Sequence, residues 1–128
     1  MRTIHVSMPV RNLQVSRAFF ADLGFTFSAE LSGGETACMV VDQNICVMLV
    51  AEDRFRNSVD GDICQTANAS FVTSLSAANE QEVDDMVAKA ISAGGKPSPI
   101  MEERPVYSGS FQDLDGHIWQ LTCRRQPR

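Results

Sequence analysis

Residues 8–25 read MPVRNLQVSRAFFADLGF, the end of a strand followed by a capped helix and the start of another strand. Asn12 is a residue type that caps helix N-termini. The apolar residues after it recur at helical spacing as far as Leu23, which predicts an amphipathic helix over residues 12–23. Gly24 then ends the helix, because glycine readily adopts the left-handed conformation at a helix C-terminus.

Strand-forming runs surround this helix. The predicted strands are 3–10, 25–28, 36–41 and 45–50. Residues 52–69 instead carry charged and turn residues without strand periodicity. We interpret them as a linker, which either includes a short helical turn or acts as a mobile lid over a site.

The same order then recurs in the second half of the chain. Asn79 and Glu82 have the spacing of a capping box, and apolar residues from Val83 to Ile91 follow at helical spacing. Gly94 and Gly95 end this helix. The strands predicted around it are 70–76, 96–101, 106–112 and 117–123, of which 96–101 is an edge strand because it contains two prolines.

The two halves predict one α+β domain over residues 1–128. Their helix-ending glycines lie about 70 residues apart, and each half has the order βαβββ. One such unit cannot cover its own apolar sheet face, so we expect two units to join into a curved, cup-like mixed sheet with helices outside. The modules span about 1–51 and about 70–124, joined by the linker at 52–69. A chance likeness between the halves of an ordinary α+β domain is the alternative.

Composition excludes several functions. The net charge is −5 and the pI about 4.9, which argues against binding to a phosphate backbone. No apolar run is long enough for a membrane span, and the N-terminus lacks a signal-peptide pattern. We therefore expect a cytoplasmic protein that binds neither nucleic acid nor membrane. The four cysteines form no C-x-x-C pair and are expected to be reduced thiols.

Two motifs resemble the vicinal oxygen chelate superfamily, which includes glyoxalase I, bleomycin-resistance proteins and extradiol dioxygenases. Residues 8–25 are similar to its opening strand and helix. Residues 111–119 are similar to its closing hairpin, which usually turns through Asp-Pro-Asp-Gly and here has Leu114 in place of the proline. The resemblance covers essentially the whole chain. It implies a ligand site in the cup between the two modules.

The resemblance also implies four ligand positions, on the first and last strands of each module. They are occupied here by His5, Met48, Val72 and Gln120, with an uncertainty of one residue at Val72. His5 matches a common metal ligand, and Gln120 stands where glutamate is usual. Met48 and Val72 are not ligands for a hard divalent metal. His5 and Gln120 are therefore the two plausible metal ligands, a weak pair, and for His5 we favour the interpretation of a polar residue that lines the cup over that of a ligand.

Other residues of the second half have two interpretations each. Tyr107 either contacts a ligand at the rim of the cup or packs in its loop. Arg104 either binds an anionic ligand or offsets the neighbouring Glu102 and Glu103. His117 is expected at the surface where the last strand starts, and Trp119 is expected in the core if Gln120 faces the cup.

Two functions follow from the resemblance. The incomplete ligand set favours a small-molecule-binding protein like the bleomycin-resistance branch, with a degenerate metal site and no cofactor. The alternative is a divalent-metal-dependent lyase or isomerase resembling lactoylglutathione lyase (glyoxalase I), using Ni, Zn, Mn or Fe. A dioxygenase would need two histidines and a carboxylate, which the four positions do not provide. The resemblance also implies a homodimer. The sequence leaves open whether any reaction is catalysed.

Overall fold

The computed structural model describes residues 1–59, 72–102 and 104–125. The part of the predicted linker beyond residue 59 and the start of the predicted strand at 70–76 lie outside the described residues. The chain divides into two compact units, Met1–Cys64 and Gln65–Arg128. No helix in the described ranges is long and apolar enough to cross a membrane.

Unit 1 contains a four-stranded mixed sheet in the order β1-β4-β3-β2. Strands β1 and β4 are parallel, and the other neighbours are antiparallel. The elements in chain order are β1 Ile4–Val10, α1 Leu13–Asp22, β2 Thr26–Ser28, β3 Thr36–Asp42, β4 Ile45–Ala51 and α2 Glu52–Ser58. The helical turn that was one interpretation of the linker is therefore α2.

Unit 2 repeats this arrangement with a sheet in the order β5-β8-β7-β6, in which β5 and β8 are parallel. Its elements are β5 Thr73–Ser76, α3 Glu80–Ser92, β6 Lys96–Pro97, β7 Val106–Gln112 and β8 Ile118–Arg124. Each unit thus has the predicted βαβββ order. The strand expected at 96–101 ends at Pro97, because the prolines at 97 and 99 have no N–H to donate to a neighbouring strand.

The predicted caps begin both main helices. The Asn12 side chain accepts a hydrogen bond from the Val15 N–H, and Asn79 accepts one from the Glu82 N–H at 2.8 Å. The Glu82 carboxylate reaches back to the N–H of Ala78 rather than to that of the cap itself. Each helix is followed by a glycine at positive φ, 104° at Gly24 and 107° at Gly94.

The side on which each helix packs is fixed by specific contacts. In unit 1 the Arg17 guanidinium lies 4.9 Å from the centre of the Phe27 ring, which places α1 on the face of Phe27. In unit 2 α3 covers Gly109, where an added Cβ would lie 2.9 Å from methyl groups of both Val83 and Val87. Trp119 is 1% exposed, which confirms its predicted place in the core.

Gly109→Ala should lower the free energy of unfolding by about 1–3 kcal/mol, because the new methyl group overpacks the contact between α3 and β7. Gly34→Ala is the matched control, since nothing lies within 4 Å of its added Cβ and its φ is not positive. It should change stability by no more than about 0.5 kcal/mol. Urea denaturation of both variants measures the difference. Equal midpoints would contradict the packing described here.

Candidate functional site

Each sheet has a second face, turned away from its helix, which we call the distal face. Side chains alternate between the two faces along a strand, so the register assigns each residue to one of them. The distal face of unit 1 carries His5, Ser7, Cys38, Cys46 and Met48. The distal face of unit 2 carries Ser74, Ser76, Ser108, Ser110, Gln120 and Thr122.

His5 and Met48 share the distal face of unit 1. In the β1–β4 register His5 pairs with Cys46, and Ser7 pairs with Met48, so the two predicted positions are diagonal neighbours. His5 is exposed and Met48 is half-buried. The structure therefore brings together the two unit 1 positions that the resemblance implied.

Gln120 is the buried polar centre of the distal face of unit 2, with 4% of its surface exposed. Its Oε1 accepts a hydrogen bond from the Ser74 hydroxyl at 2.6 Å. Its Nε2 donates to the Glu102 carboxylate at 3.2 Å. Both ends of the Gln120 amide are thus engaged inside the protein, as a buried polar group requires.

Glu102 is in turn held by Arg104. The Arg104 guanidinium donates from Nε at 2.9 Å and from its terminal nitrogen at 2.7 Å, and the Arg104 N–H adds a third hydrogen bond at 3.0 Å. These bonds lower the pKa of the Glu102 carboxyl to about 2, with smaller help from the Gln120 amide. Glu102 is therefore ionised at neutral pH and is a poor proton acceptor.

The remaining two predicted site residues are Val72 and Tyr107. Val72 comes just before β5 and is 41% exposed. Tyr107 lies on the helix face of unit 2, where its hydroxyl donates to the Asp84 carboxylate at 2.6 Å, and this bond raises the pKa of the Tyr107 phenol. The structure does not bring Tyr107 together with Gln120, and its register neighbour Cys123 is also on the helix face.

The second motif forms a closed turn around Asp113. Its buried carboxylate accepts hydrogen bonds from the N–H groups of Asp115 and His117, and from the Trp119 indole at 3.0 Å. Burial raises the pKa of the Asp113 carboxyl although these donors and His117 oppose the shift. Gly116 completes the turn at a φ of 84°. The motif thus orients the start of β8, the strand that carries Gln120.

Residues 2–121 match the Glyoxalase/Bleomycin resistance protein/Dioxygenase superfamily. The chain belongs to this superfamily. No curated protein matches the chain.

Solved structures share the fold of this superfamily member. A hypothetical protein from S. aureus is 23% identical, with a TM-score of 0.81 and coverage of 95% of this chain and 93% of that one. A glyoxalase-related enzyme from Fulvimarina pelagi is 18% identical, with a TM-score of 0.78 and coverage of 95% and 87%. A fosfomycin resistance protein from Listeria monocytogenes, complexed with Mn(II) and sulfate, is 16% identical, with a TM-score of 0.71 and coverage of 94% and 88%. These identities support the fold alone.

The donors at the four positions do not fit a divalent metal. They offer one imidazole, one thioether and one amide that is already bonded at both ends, and Val72 offers none. Hard and borderline divalent ions prefer imidazole and carboxylate ligands. In the described part of the chain, no three side chains of His, Cys, Asp or Glu are grouped as a metal site requires.

Sequence reasoning missed two members of the unit 2 site. Ser74 pairs with Gln120 across β5 and β8 just as Ser7 pairs with Met48 across β1 and β4. The serine at the equivalent position of each first strand could have identified Ser74 as a neighbour of Gln120 from the sequence. Glu102 was considered only as a charge offset by Arg104, and its bond to Gln120 depends on a loop that has no periodic pattern.

We expect Glu102 to titrate near pH 2 in a carbon-detected NMR titration. Because this folded-state pKa lies below the ordinary value of 4.5, the pair stabilises the fold above about pH 4.5. That stability is lost as the pH falls towards 2. Arg104→Ala should move the pKa of Glu102 back up towards its ordinary value.

Arg56→Ala is the control for this titration. It removes a different exposed ion pair, with Glu52 and Asp53, and should leave the pKa of Glu102 unchanged. A Glu102 pKa that stays the same in Arg104→Ala would show that the guanidinium does not hold the carboxylate.

Proposed function

We propose that the protein binds a small molecule on its distal faces through hydrogen bonds, without a tightly held divalent metal. The observation that carries this proposal is the chain of bonds from Ser74 through Gln120 and Glu102 to Arg104. Gln120 is the one remaining candidate metal ligand of unit 2, and both ends of its amide are already bonded to other residues of the protein. A metal at Gln120 would have to break a buried bond, which costs about 1–3 kcal/mol.

The same chain suggests the chemistry of the ligand. Arg104 uses one edge of its guanidinium on Glu102, and its side chain is 62% exposed. A guanidinium has five N–H donors, so further donors are left for an oxygen of a ligand. Serine and threonine hydroxyls line the same face. This pattern favours a small polar molecule with a carboxylate or similar oxygen group, in keeping with the anionic-ligand interpretation of Arg104.

The second candidate is a divalent-metal-dependent lyase or isomerase resembling glyoxalase I. One observation favours it: the Glu102 carboxylate lies 3.2 Å from Gln120 and would supply the carboxylate that the last strand lacks. One related structure, that of the fosfomycin resistance protein, was determined with Mn(II). Against it, Arg104 already neutralises this carboxylate.

We further propose a cytoplasmic homodimer. In each unit two strands lie at the edges of the sheet, β1 and β2 in unit 1 and β5 and β6 in unit 2, and such edges are usually covered. The cysteines at 38, 46 and 123 are free thiols, as is usual in a reducing compartment. Light scattering that gives only monomer at micromolar concentration would argue against the dimer.

Calorimetric titration of the full chain with Mn²⁺, Ni²⁺, Zn²⁺ and Fe²⁺ separates the two candidate functions. We expect no stoichiometric site, because the donor set lacks a second strong ligand. A stoichiometric site that is lost in His5→Ala but kept in His117→Ala, which changes the chain's other histidine, would overturn the proposal and support the lyase.

Ligand binding itself is tested by thermal shift with a panel of small hydroxy acids, whose oxygens match the donors near Arg104. A ligand present at 100 times its Kd stabilises the native state by about 2.7 kcal/mol. We expect the shift to disappear in Arg104→Ala and to persist in Arg56→Ala. A shift that both variants keep would place binding away from Arg104.

A further inference from the structure

Two cysteines lie on the distal face of unit 1, on neighbouring strands. In the β3–β4 register Cys38 pairs with Met48, and Val40 pairs with Cys46, so the two cysteines are diagonal neighbours on one face. The neighbouring Cys46 thiol contributes to the raised pKa of the Cys38 thiol, so the two side chains are close to each other.

The backbone beside the pair is irregular. Diagonal neighbours in an antiparallel pair have Cα atoms about 7–8 Å apart, slightly beyond the span of about 4.4–6.8 Å usual for a disulfide. The register of β3 and β4 shifts between Val40 and Asp42, next to Cys46. Such an irregularity increases the local twist, which changes diagonal distances. Joining the two sulfurs therefore requires the backbone of one strand to move.

The two thiols differ in access. Cys38 is fully buried, and Cys46 is half-buried. An oxidant from solution therefore reacts first with Cys46. His5 pairs with Cys46 in the β1–β4 register on the same face, which puts an imidazole on the strand next to this thiol.

We propose that Cys38 and Cys46 form a reversible intrachain disulfide when the protein meets a hydroperoxide. The Cys46 sulfur attacks the terminal peroxide oxygen and the O–O bond breaks. The leaving oxygen takes the Cys46 proton and departs as an alcohol, or as water when the peroxide is hydrogen peroxide. Cys46 is then a sulfenic acid. The Cys38 sulfur attacks the Cys46 sulfur, the S–O bond breaks, and water carries away the hydroxyl and the Cys38 proton. The two thiols together lose two electrons, which reduce the peroxide.

The surroundings of Cys38 suit this second role. Burial and the neighbouring Cys46 raise the pKa of the Cys38 thiol to about 11. Cys38 therefore remains a protonated thiol, and its burial keeps it from reacting directly with a peroxide. It reacts only after Cys46 has been oxidised. The inference does not depend on what the distal faces bind, since it concerns only these two sulfurs.

The test is oxidation of the full wild-type chain with hydrogen peroxide, followed by non-reducing digestion at aspartates and mass spectrometry. Cleavage before Asp22, Asp42 and Asp53 places Cys38 in residues 22–41 and Cys46 in residues 42–52. We expect these two peptides to be joined and to separate again after treatment with dithiothreitol. Cys46 joined to another cysteine, or oxidised beyond sulfenic acid while Cys38 stays free, would overturn the proposal.

Two variants assign the roles, with circular dichroism confirming that each is folded. In Cys38→Ser the Cys46 sulfenic acid should persist and be trapped by dimedone. In Cys46→Ser the buried Cys38 should react with peroxide at least tenfold more slowly than Cys46 does in Cys38→Ser. Cys123→Ala is the matched control, because it removes a buried thiol on the other unit and should leave the joined peptides unchanged. Equal reaction rates of the two cysteines would contradict the proposed order.

Discussion

The parallel pairing of the first and last strands within each unit is the constraint on which the rest of the structure depends. β1 lies beside β4, and β5 lies beside β8, in the same direction. Parallel neighbours cannot be joined by a tight hairpin, so the chain between them must cross over. In each unit this crossover includes a capped helix that covers one face of the sheet. The other face of each sheet is the distal face, which carries the candidate site residues His5, Met48 and Gln120.

This pairing also explains why the two units have equivalent positions with different chemistry. In both units a serine on the first strand is the direct neighbour of the last-strand residue of interest, Ser7 beside Met48 and Ser74 beside Gln120. The thioether of Met48 cannot accept a strong hydrogen bond. The Gln120 amide accepts one from Ser74 and donates one to Glu102. Unit 2 therefore carries the polar network, and unit 1 carries His5 and the two thiols.

The periodic parts of the sequence predicted the fold well. The ends of helices α1 and α3 were predicted nearly to the residue. The signals for them, the caps at Asn12 and Asn79 and the glycines after each helix, are local. The edge strand at 96–101 was predicted too long, since the prolines there stop the ladder early. Membership of the superfamily, first a resemblance of two motifs, is shown by the match over residues 2–121.

The candidate site was less predictable, because it depends on contacts that no period encodes. Alternation along β7 places Tyr107 and Gly109 on the same face of the sheet. Only the structure shows that α3 covers this face. The bond between Glu102 and Gln120 joins a loop to a strand 18 residues further along the chain. Only the folded structure reveals that Arg104 and Glu102 complete the surroundings of Gln120.

The Gln120 amide is bonded to Ser74 and Glu102, and we propose that no metal displaces these partners. Paramagnetic line broadening by Mn²⁺ tests it most directly, because a bound ion broadens the NMR signals of the residues around it. We predict that substoichiometric Mn²⁺ leaves the side-chain amide signal of Gln120 and the ring signals of His5 no broader than those of exposed residues. Selective, saturable broadening of both signals at one equivalent of Mn²⁺ would contradict the account.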